Sequence, residues 1–326
     1  MMKAAVLRTP EGKPEYADFA EPVLGEGQEL VELVAAGLHQ VVRSRAHGRH
    51  YSSGANQYPL IPGVDAVART ADGTFVYTGN IAAPYGTMAE RMAVQNSIRN
   101  ALPAGTEHRA AQVAGGMNPG LSSWLPLKSR LAEIAEFGTV AVVGATGASG
   151  LMAVQNARDL GARRVIAIGR NEIALERARG FGAETARLTE DRDESVKAIR
   201  EALGDDAPSL VLDYVWGAPA EATFEALSRQ ETREDAASDT SYVQIGALAG
   251  PDAAVPAALL RSRRIRVIGS GMGSVSMATI LSEVPEYVRR IAEGHVEVPV
   301  ETYPLTDVAQ AWTAKSKDNA RIVLTA

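Results

Sequence analysis

The sequence predicts an α/β protein, with a doubly wound parallel sheet in the middle of the chain and a β-rich lobe made from both ends. Three observations carry that expectation. Residues 1–115 read as short β-like pieces (MKAAVL, LVELVAAG, AVART, TFVYTG, AERMAV) whose aliphatic and β-branched residues lie between glycine and proline turn signals. From about residue 120, apolar strands alternate with helical stretches, the pattern of βαβ units packed on a parallel sheet. The segment 283–326 then returns to mixed structure: a helix in EVPEYVRRIAEG, the extended VPVETYPL, a short helix in TDVAQAWTAK and a closing strand, RIVLTA.

Each central element follows from its pattern. TVAVVGA precedes a helix through 150–160, RVIAIGR precedes one through 172–181, and SLVLDYV precedes one near 219–228. SYVQIGA and RIRVIGS follow as further apolar strands. The polar stretch SRQETREDAASDTS (228–241) between helix and strand is expected to be a solvated surface loop. The domain expectation is therefore 1–115 with 285–326 for the β-rich lobe, and 116–284 for the α/β lobe.

Composition narrows the functional classes. A chain of 326 residues is long enough for two domains. A net charge of −6 argues against nucleic acid or an anionic membrane as a general partner. No apolar run approaches a membrane span, and MMKAAVLRTP has a single early lysine and no long apolar stretch, so the expected location is the cytoplasm. Cysteine is absent, which removes disulfides, a cysteine nucleophile and thiolate zinc sites. Among the five histidines, His47 and His50 stand three apart. Their setting, AHGRHYSSG, reads as a loop without an acidic partner, so no metal is expected there.

The stretch VAVVGATGASGLMAVQNARDLGARRVIAIGR (140–170) holds the main functional signal. Gly144, Gly147 and Gly150 fall between an apolar strand and a helix. Glycine there lets the backbone turn tightly and lets a pyrophosphate approach the helix N-terminus. No Lys-Ser/Thr follows, so this is not a triphosphate P-loop. Ala145 occupies the first position of a strict G-x-G-x-x-G, and the βαβ context makes the motif a dinucleotide site. Its expected contacts are Gly147, Ala148, Ser149 and Gly150. The second strand ends in IGRN, with no carboxylate before Glu172, where an NAD site places an acid for the ribose 2′-hydroxyl. Arg170 can instead clamp a 2′-phosphate, so the expected cofactor is NADPH, with Asn171 beside it. Gly246 and Ser270 follow late strands and are expected at the nicotinamide end.

With these residues in hand, the chain resembles the medium-chain dehydrogenase/reductase superfamily, in its zinc-independent quinone oxidoreductase-like branch. The resemblance runs over essentially the whole length. It rests on MKAAVL, AAGLHQVVRSRAHGRHY, PLIPGVDAVA, PYGTMAERMAV, VVGATGASGLMAVQNARDLGA and the later YVQIG, VIGS and NARIVL, in that order. It implies a Rossmann domain joined to a GroES-like domain. There are departures: Leu38 stands where zinc-dependent relatives carry a cysteine, and His39 and Val42 replace an Asn/Asp pair common in quinone reductases.

The resemblance also supplies site expectations. Tyr51 matches a tyrosine near the nicotinamide, able to bond the substrate oxygen or donate a proton, or else to pack in a loop. His39 takes the place of an asparagine near the cofactor and either donates a proton or fills space. MNPGLSSW (117–124) resembles the entry to the cofactor domain, with Ser122 where a threonine contacts the nicotinamide. Asp65 matches the acidic position of P-G-x-E/D and, without a metal, is read as structural. Arg321 replaces a lysine and is expected to touch the cofactor.

The functional expectation is an NADPH-dependent, metal-independent reductase of quinones or α,β-unsaturated carbonyls, because a conjugated acceptor delocalises the incoming charge itself. The alternatives are a carbonyl or imine reductase with a Tyr/His general acid, and a non-catalytic NADPH-binding sensor. The expected partners are a small-molecule substrate and a second copy of the chain, since RRIRVIGS resembles the edge strand through which family members extend their sheets.

Overall fold

The computed structural model describes residues 1–51, 53, 56–228 and 239–326. It divides into two compact units, Met1–Pro119 with Met277–Ala326, and Gly120–Ser276. The sequence suggested 115/116 and 284/285 as the borders.

In the first unit β1 (Met2–Val6) pairs antiparallel with β2 (Glu15–Phe19). A larger sheet contains β3 (Gln28–Gly37), β4 (Asp65–Arg69), β5 (Phe75–Gly79), β6 (Arg91–Gln95), β7 (Asn100–Ala101), β14 (Val300–Pro304) and β15 (Arg321–Thr325). Its order is β14-β15-β3-β4-β5-β7, with β6 also on β3. The ten-residue β3 organises it. Its first half pairs with β6, its last three residues pair with β15, and its register against β4 shifts between Leu33 and Ala35. The two ends of the chain are thereby joined in one sheet, with Val323 opposite Gly37. Inward side chains such as Val31, Leu33, Met88, Met92, Trp312 and Leu324 fill the core. The helices of this unit are α1 (Gln40–Ala46), the start of α2 (Ala110–Leu131), α8 (Met277–Ala292) and α9 (Val308–Thr313).

The second unit is a six-stranded parallel sheet of β8 (Thr139–Val143), β9 (Arg164–Gly169), β10 (Glu184–Arg187), β11 (Leu210–Asp213), β12 (Thr240–Gln244) and β13 (Ile265–Gly269). The order β10-β9-β8-β11-β12-β13 carries the chain outward from β8 in one direction and from β11 in the other. The switch point therefore lies between β8 and β11, where open α/β sheets bind ligands beyond their carboxyl ends. The linking helices are α3 (Ala148–Asp159), α4 (Glu172–Gly180), α5 (Arg192–Leu203), α6 (Gly217–Ser228) and α7 (Ala257–Ser262). All five residues of β8 are buried, and they alternate between two cores: Val140 and Val142 pack with Leu151 and Leu175, Ala141 and Val143 with Ile166 and Phe224. Burial on both faces explains why the four residues after Thr139 are all aliphatic.

Some elements were not visible in the sequence. The 22-residue α2 contains Gly115, Gly116, Pro119, Gly120 and Pro126, which argue against a helix. Packing overrides that propensity: Met117, Trp124 and Leu127 are fully buried, and a Cβ on Gly116 would lie 2.8 Å from Val298 Cγ2. Half of α5 is charged, and it buries Val196, Ile199 and Leu203, behind an Asp191 side chain that accepts from the Glu194 N–H at 2.9 Å. In the expected surface loop 228–241, Ser228 closes α6 and Thr240 and Ser241 open β12, while residues 229–238 lie outside the described residues. Among the described residues, no helix is long and apolar enough to cross a membrane.

Candidate functional site

The glycine turn of the second unit is built so that a helix N-terminus stands bare. β8 ends at Val143, and Gly144 turns the chain with φ +86, its N–H bonded to Ile168 O at 2.9 Å. Helix α3 then starts at Ala148, with Gly147 as N-cap, no side-chain cap and no acidic residue in its first turn. Its first N–H groups have no intrahelical partner, and with the helix dipole they favour an anion. The glycines have different reasons to be glycine. A Cβ on Gly150 would lie 2.4 Å from Gly144 O and 2.6 Å from Ala145 Cα, so α3 packs directly on the turn. A Cβ on Gly147 would meet nothing closer than Gly144 O at 3.7 Å. Protein packing does not demand glycine there, and the space beside it is open.

Beyond the turn, Gly169 closes β9 against Thr146, where a Cβ would lie 2.4 Å from Thr146 Cγ2. Arg170 follows it and is exposed. Asn171 caps α4, its Oδ1 accepting from the Ala174 N–H at 3.0 Å. Glu172, the first carboxylate after β9, is held by Arg179 at 3.0 Å and lies 3.9 Å from Arg187 Nε, on the residue that pairs with Gly169. Glu172, the first acid after Arg170, is thus already paired.

At the switch point, Asp213 ends β11 fully buried. Its Oδ1 accepts from the N–H groups of Val215 (2.8 Å) and Trp216 (3.0 Å), and its Oδ2 from the Tyr242 hydroxyl at 2.6 Å. Burial pushes this carboxyl above its usual range, partly offset by those hydrogen bonds. The bonds shape a turn in which Trp216 takes φ +55. Tyr214 follows Asp213, and its backbone O would sit 2.5 Å from a Cβ on Gly246, so β12's exit is also glycine by necessity. The Tyr214 hydroxyl lies 3.0 Å from Ser122 Oγ, and burial pushes the phenol up to about 12. Ser270 donates its N–H to Gln244 O at 2.9 Å at the end of β13.

The first unit holds a buried polar network. His39, 1 % exposed, places Nε2 3.1 Å from Asp65 Oδ1, and Asp65 Oδ2 accepts from the Tyr77 hydroxyl at 2.9 Å. Thr87 donates to the Asp65 backbone O at 2.9 Å. The Arg321 guanidinium lies 2.9 Å from His39 Nδ1. Arginine only donates, so Nδ1 accepts and the ring hydrogen sits on Nε2, facing the carboxylate. Gly37 makes this possible: a Cβ would lie 2.3 Å from His39 Nε2 and 2.4 Å from Ala114 O. Burial and the nearby Arg43 lower Arg321 to about 10, against the pull of Asp65. The Arg43 bonds go to neutral oxygens: Trp312 O, Ala311 O and Gln40 Oε1.

The expected residues therefore fall into groups. The turn residues Gly147 to Gly150 adjoin one another and the end of β9, Ser122 is joined to Tyr214, and His39 is joined to Arg321. Tyr51 stands apart, 71 % exposed, with its ring 4.3 Å from that of His50. Tyr77 and Tyr214 were not singled out from the sequence. Both hydroxyls act through contacts between distant segments, and only Tyr214's place at the end of SLVLDYV pointed toward a ligand edge.

Comparison with known proteins agrees with this architecture. Residues 148–293 match the family model described as zinc-binding dehydrogenase. The chain is 29 % identical over 349 aligned positions to a protein of Emericella nidulans named "probable NADPH-dependent quinone reductase", with 95 % of this chain and 96 % of that one covered. The structure superposes on the quinone oxidoreductase of Thermus thermophilus, a protein also solved with NADPH, with a TM-score of 0.79, 26 % identity and full coverage of both chains. A similar fold is found in a probable oxidoreductase of Mycobacterium abscessus, with a TM-score of 0.77, 23 % identity and coverage of 100 % and 99 %. The zinc in the family description does not fit the donors here. The chain has no cysteine, and both Asp65 oxygens accept from His39 and Tyr77. Among the described residues no group of three or more metal-binding side chains converges. Its fold, its turn and these matches support the kinship the sequence suggested, a similarity to the quinone oxidoreductase-like branch of the medium-chain dehydrogenase/reductase superfamily.

Proposed function

We propose that this protein is an NADPH-dependent reductase that transfers a hydride to a quinone or an α,β-unsaturated carbonyl compound. The observation that carries the reading is the bare N-terminus of α3 over the open space at Gly147, with Arg170 rather than an acid at the end of β9. The relatives named for NADPH support it. NADPH supplies the hydride. The chain's own residues bind and orient it: the N–H groups of Ala148, Ser149 and Gly150 toward the pyrophosphate, and Arg170 toward the 2′-phosphate. Asn171 acts by capping the helix beside Arg170, and Gly246 and Ser270 line the nicotinamide end.

The acceptor class follows from what the candidate acids can do. Both ring nitrogens of His39 are engaged in a buried network, so His39 is a positioning residue for Arg321 in this reading, not the proton donor. Arg321 is a buried cation bonded to a neutral ring, which suits an oxyanion such as a cofactor phosphate. Tyr51 is exposed and joins the reaction only if its loop brings it to the acceptor. A conjugated acceptor asks least of such a site, because it spreads the incoming charge over its own π-system. The reading is metal-independent because the donors do not fit zinc.

Arg170→Ala tests the cofactor assignment. Loss of a charge-assisted contact worth about 1.5–3 kcal/mol weakens NADPH binding about 10- to 150-fold. NADH binding stays unchanged. Equal losses for both nucleotides in fluorescence titrations would refute the assignment. We also place a second copy of the chain along β13, a terminal strand of its sheet that exposes Ile268, near the exposed Leu260 and Met272. A solution mass twice the 34.4 kDa of the chain is expected, and a mass of one chain sinks the pairing.

A further inference from the structure

Helix α2 runs against the parallel sheet of the second unit and is fixed at both ends of the strands. At one end the buried Arg130 donates to Ser209 O (3.1 Å), just before β11, and to Asp239 O (2.7 Å) and Oδ2 (3.0 Å), just before β12. Toward the other end Asn156 of α3 donates to Ser123 Oγ (2.9 Å) and Gly120 O (3.2 Å). Eight helical residues separate Ser122 from Arg130, about 12 Å, close to the length of the four-residue β11. Ser122 therefore arrives at the carboxyl end of β11, where Tyr214 meets it.

Tyr214 borders the switch point itself. Its Cβ would lie 3.2 Å from a Cβ on Gly144, at the exit of β8, and its backbone closes on Gly246, at the exit of β12. Its hydroxyl meets α2 at Ser122 and Ser123. The helix is held without it by Arg130 and Asn156, and a phenylalanine would fill the same space. The Tyr214 and Ser122 hydroxyls share one hydrogen bond, so each restricts the direction of the other.

We propose that Tyr214 is a positioning residue for the nicotinamide end of the site: its hydroxyl fixes the direction of the Ser122 hydroxyl, and Ser122 makes the contact with the bound cofactor. This inference rests on the NADPH reading above. The Tyr214 hydroxyl also interacts with Ser123, and its action on the cofactor site runs through Ser122, so Tyr214 and Ser122 are coupled.

The test is a double-mutant cycle of Tyr214→Phe and Ser122→Ala in the full chain. It reads the NADPH dissociation constant by fluorescence titration, together with thermal stability. Each single substitution weakens NADPH binding about 3- to 10-fold, the worth of one hydrogen bond. In the Ser122→Ala background, Tyr214→Phe has no further effect. Ser122→Thr, which keeps the hydroxyl, restores sensitivity to Tyr214→Phe. Losses that multiply in the double variant overturn the inference. So does a Tyr214→Phe variant that melts earlier yet binds NADPH as the wild type does, which marks a structural role. A wild-type protein that binds no NADPH overturns the reading beneath the inference, and the inference with it.

Discussion

Gly150→Ala is expected to destabilise the second unit by about 1–3 kcal/mol and to abolish NADPH binding. The added methyl group would lie 2.4 Å from Gly144 O and 2.6 Å from Ala145 Cα, both backbone atoms that cannot rotate away. Overpacking of a closed contact costs about that much, and the better helix propensity of alanine, about 1 kcal/mol, does not offset a displaced helix. Once α3 shifts, its N-terminal N–H groups no longer face the phosphate. Gly147→Ala is the contrast. Its Cβ enters open space at φ −89, so the fold loses at most the difference between glycine and alanine at an N-cap, about 1 kcal/mol. NADPH affinity still falls at least about 10-fold, because the methyl group stands where the pyrophosphate must come. Denaturation curves and NADPH titrations on the two variants check the pair. A Gly147→Ala protein with wild-type affinity would remove the turn from the cofactor site.

Asp65→Ala carries the second large effect. The carboxylate accepts from His39 Nε2 and from the Tyr77 hydroxyl, and it is the buried charge opposite Arg321. Removing it strands two buried donors and a guanidinium, a loss of about 3–5 kcal/mol. Asp65→Asn keeps one carbonyl oxygen for one of the donors, and the Tyr77 hydroxyl can turn to accept from the new amide. It therefore costs less than alanine. Urea denaturation of the two variants checks this, and equal losses would show that hydrogen bonding to the carboxylate contributes nothing.

The parts legible in the sequence were those with local causes. The strands of the parallel sheet announced themselves because burial on both faces leaves runs of aliphatic residues, VAVV in β8 and LVL in β11. The glycine turn was readable because a strand–helix junction of that spacing has few other uses. α2 was hidden because its prolines and glycines are tolerated only by neighbours distant in sequence, such as Val298 beside Gly116. The same limit applied to side chains. His39 could be singled out by type, but its engagement on both sides by Asp65 and Arg321 depends on β15 returning beside β3. The link between Tyr214 and Ser122 likewise needs a helix and a strand brought together by the fold.

The central claim is the reduction of conjugated acceptors by NADPH. It is tested most directly by following oxidation of NADPH and of NADH with one quinone, one enal, one enone, one cyclic imine and one saturated ketone. The account predicts turnover of the quinone, enal and enone with NADPH, and little with NADH or with the imine and ketone. Turnover of the saturated ketone or the imine would contradict it and require a proton donor that His39, bonded on both nitrogens, does not supply.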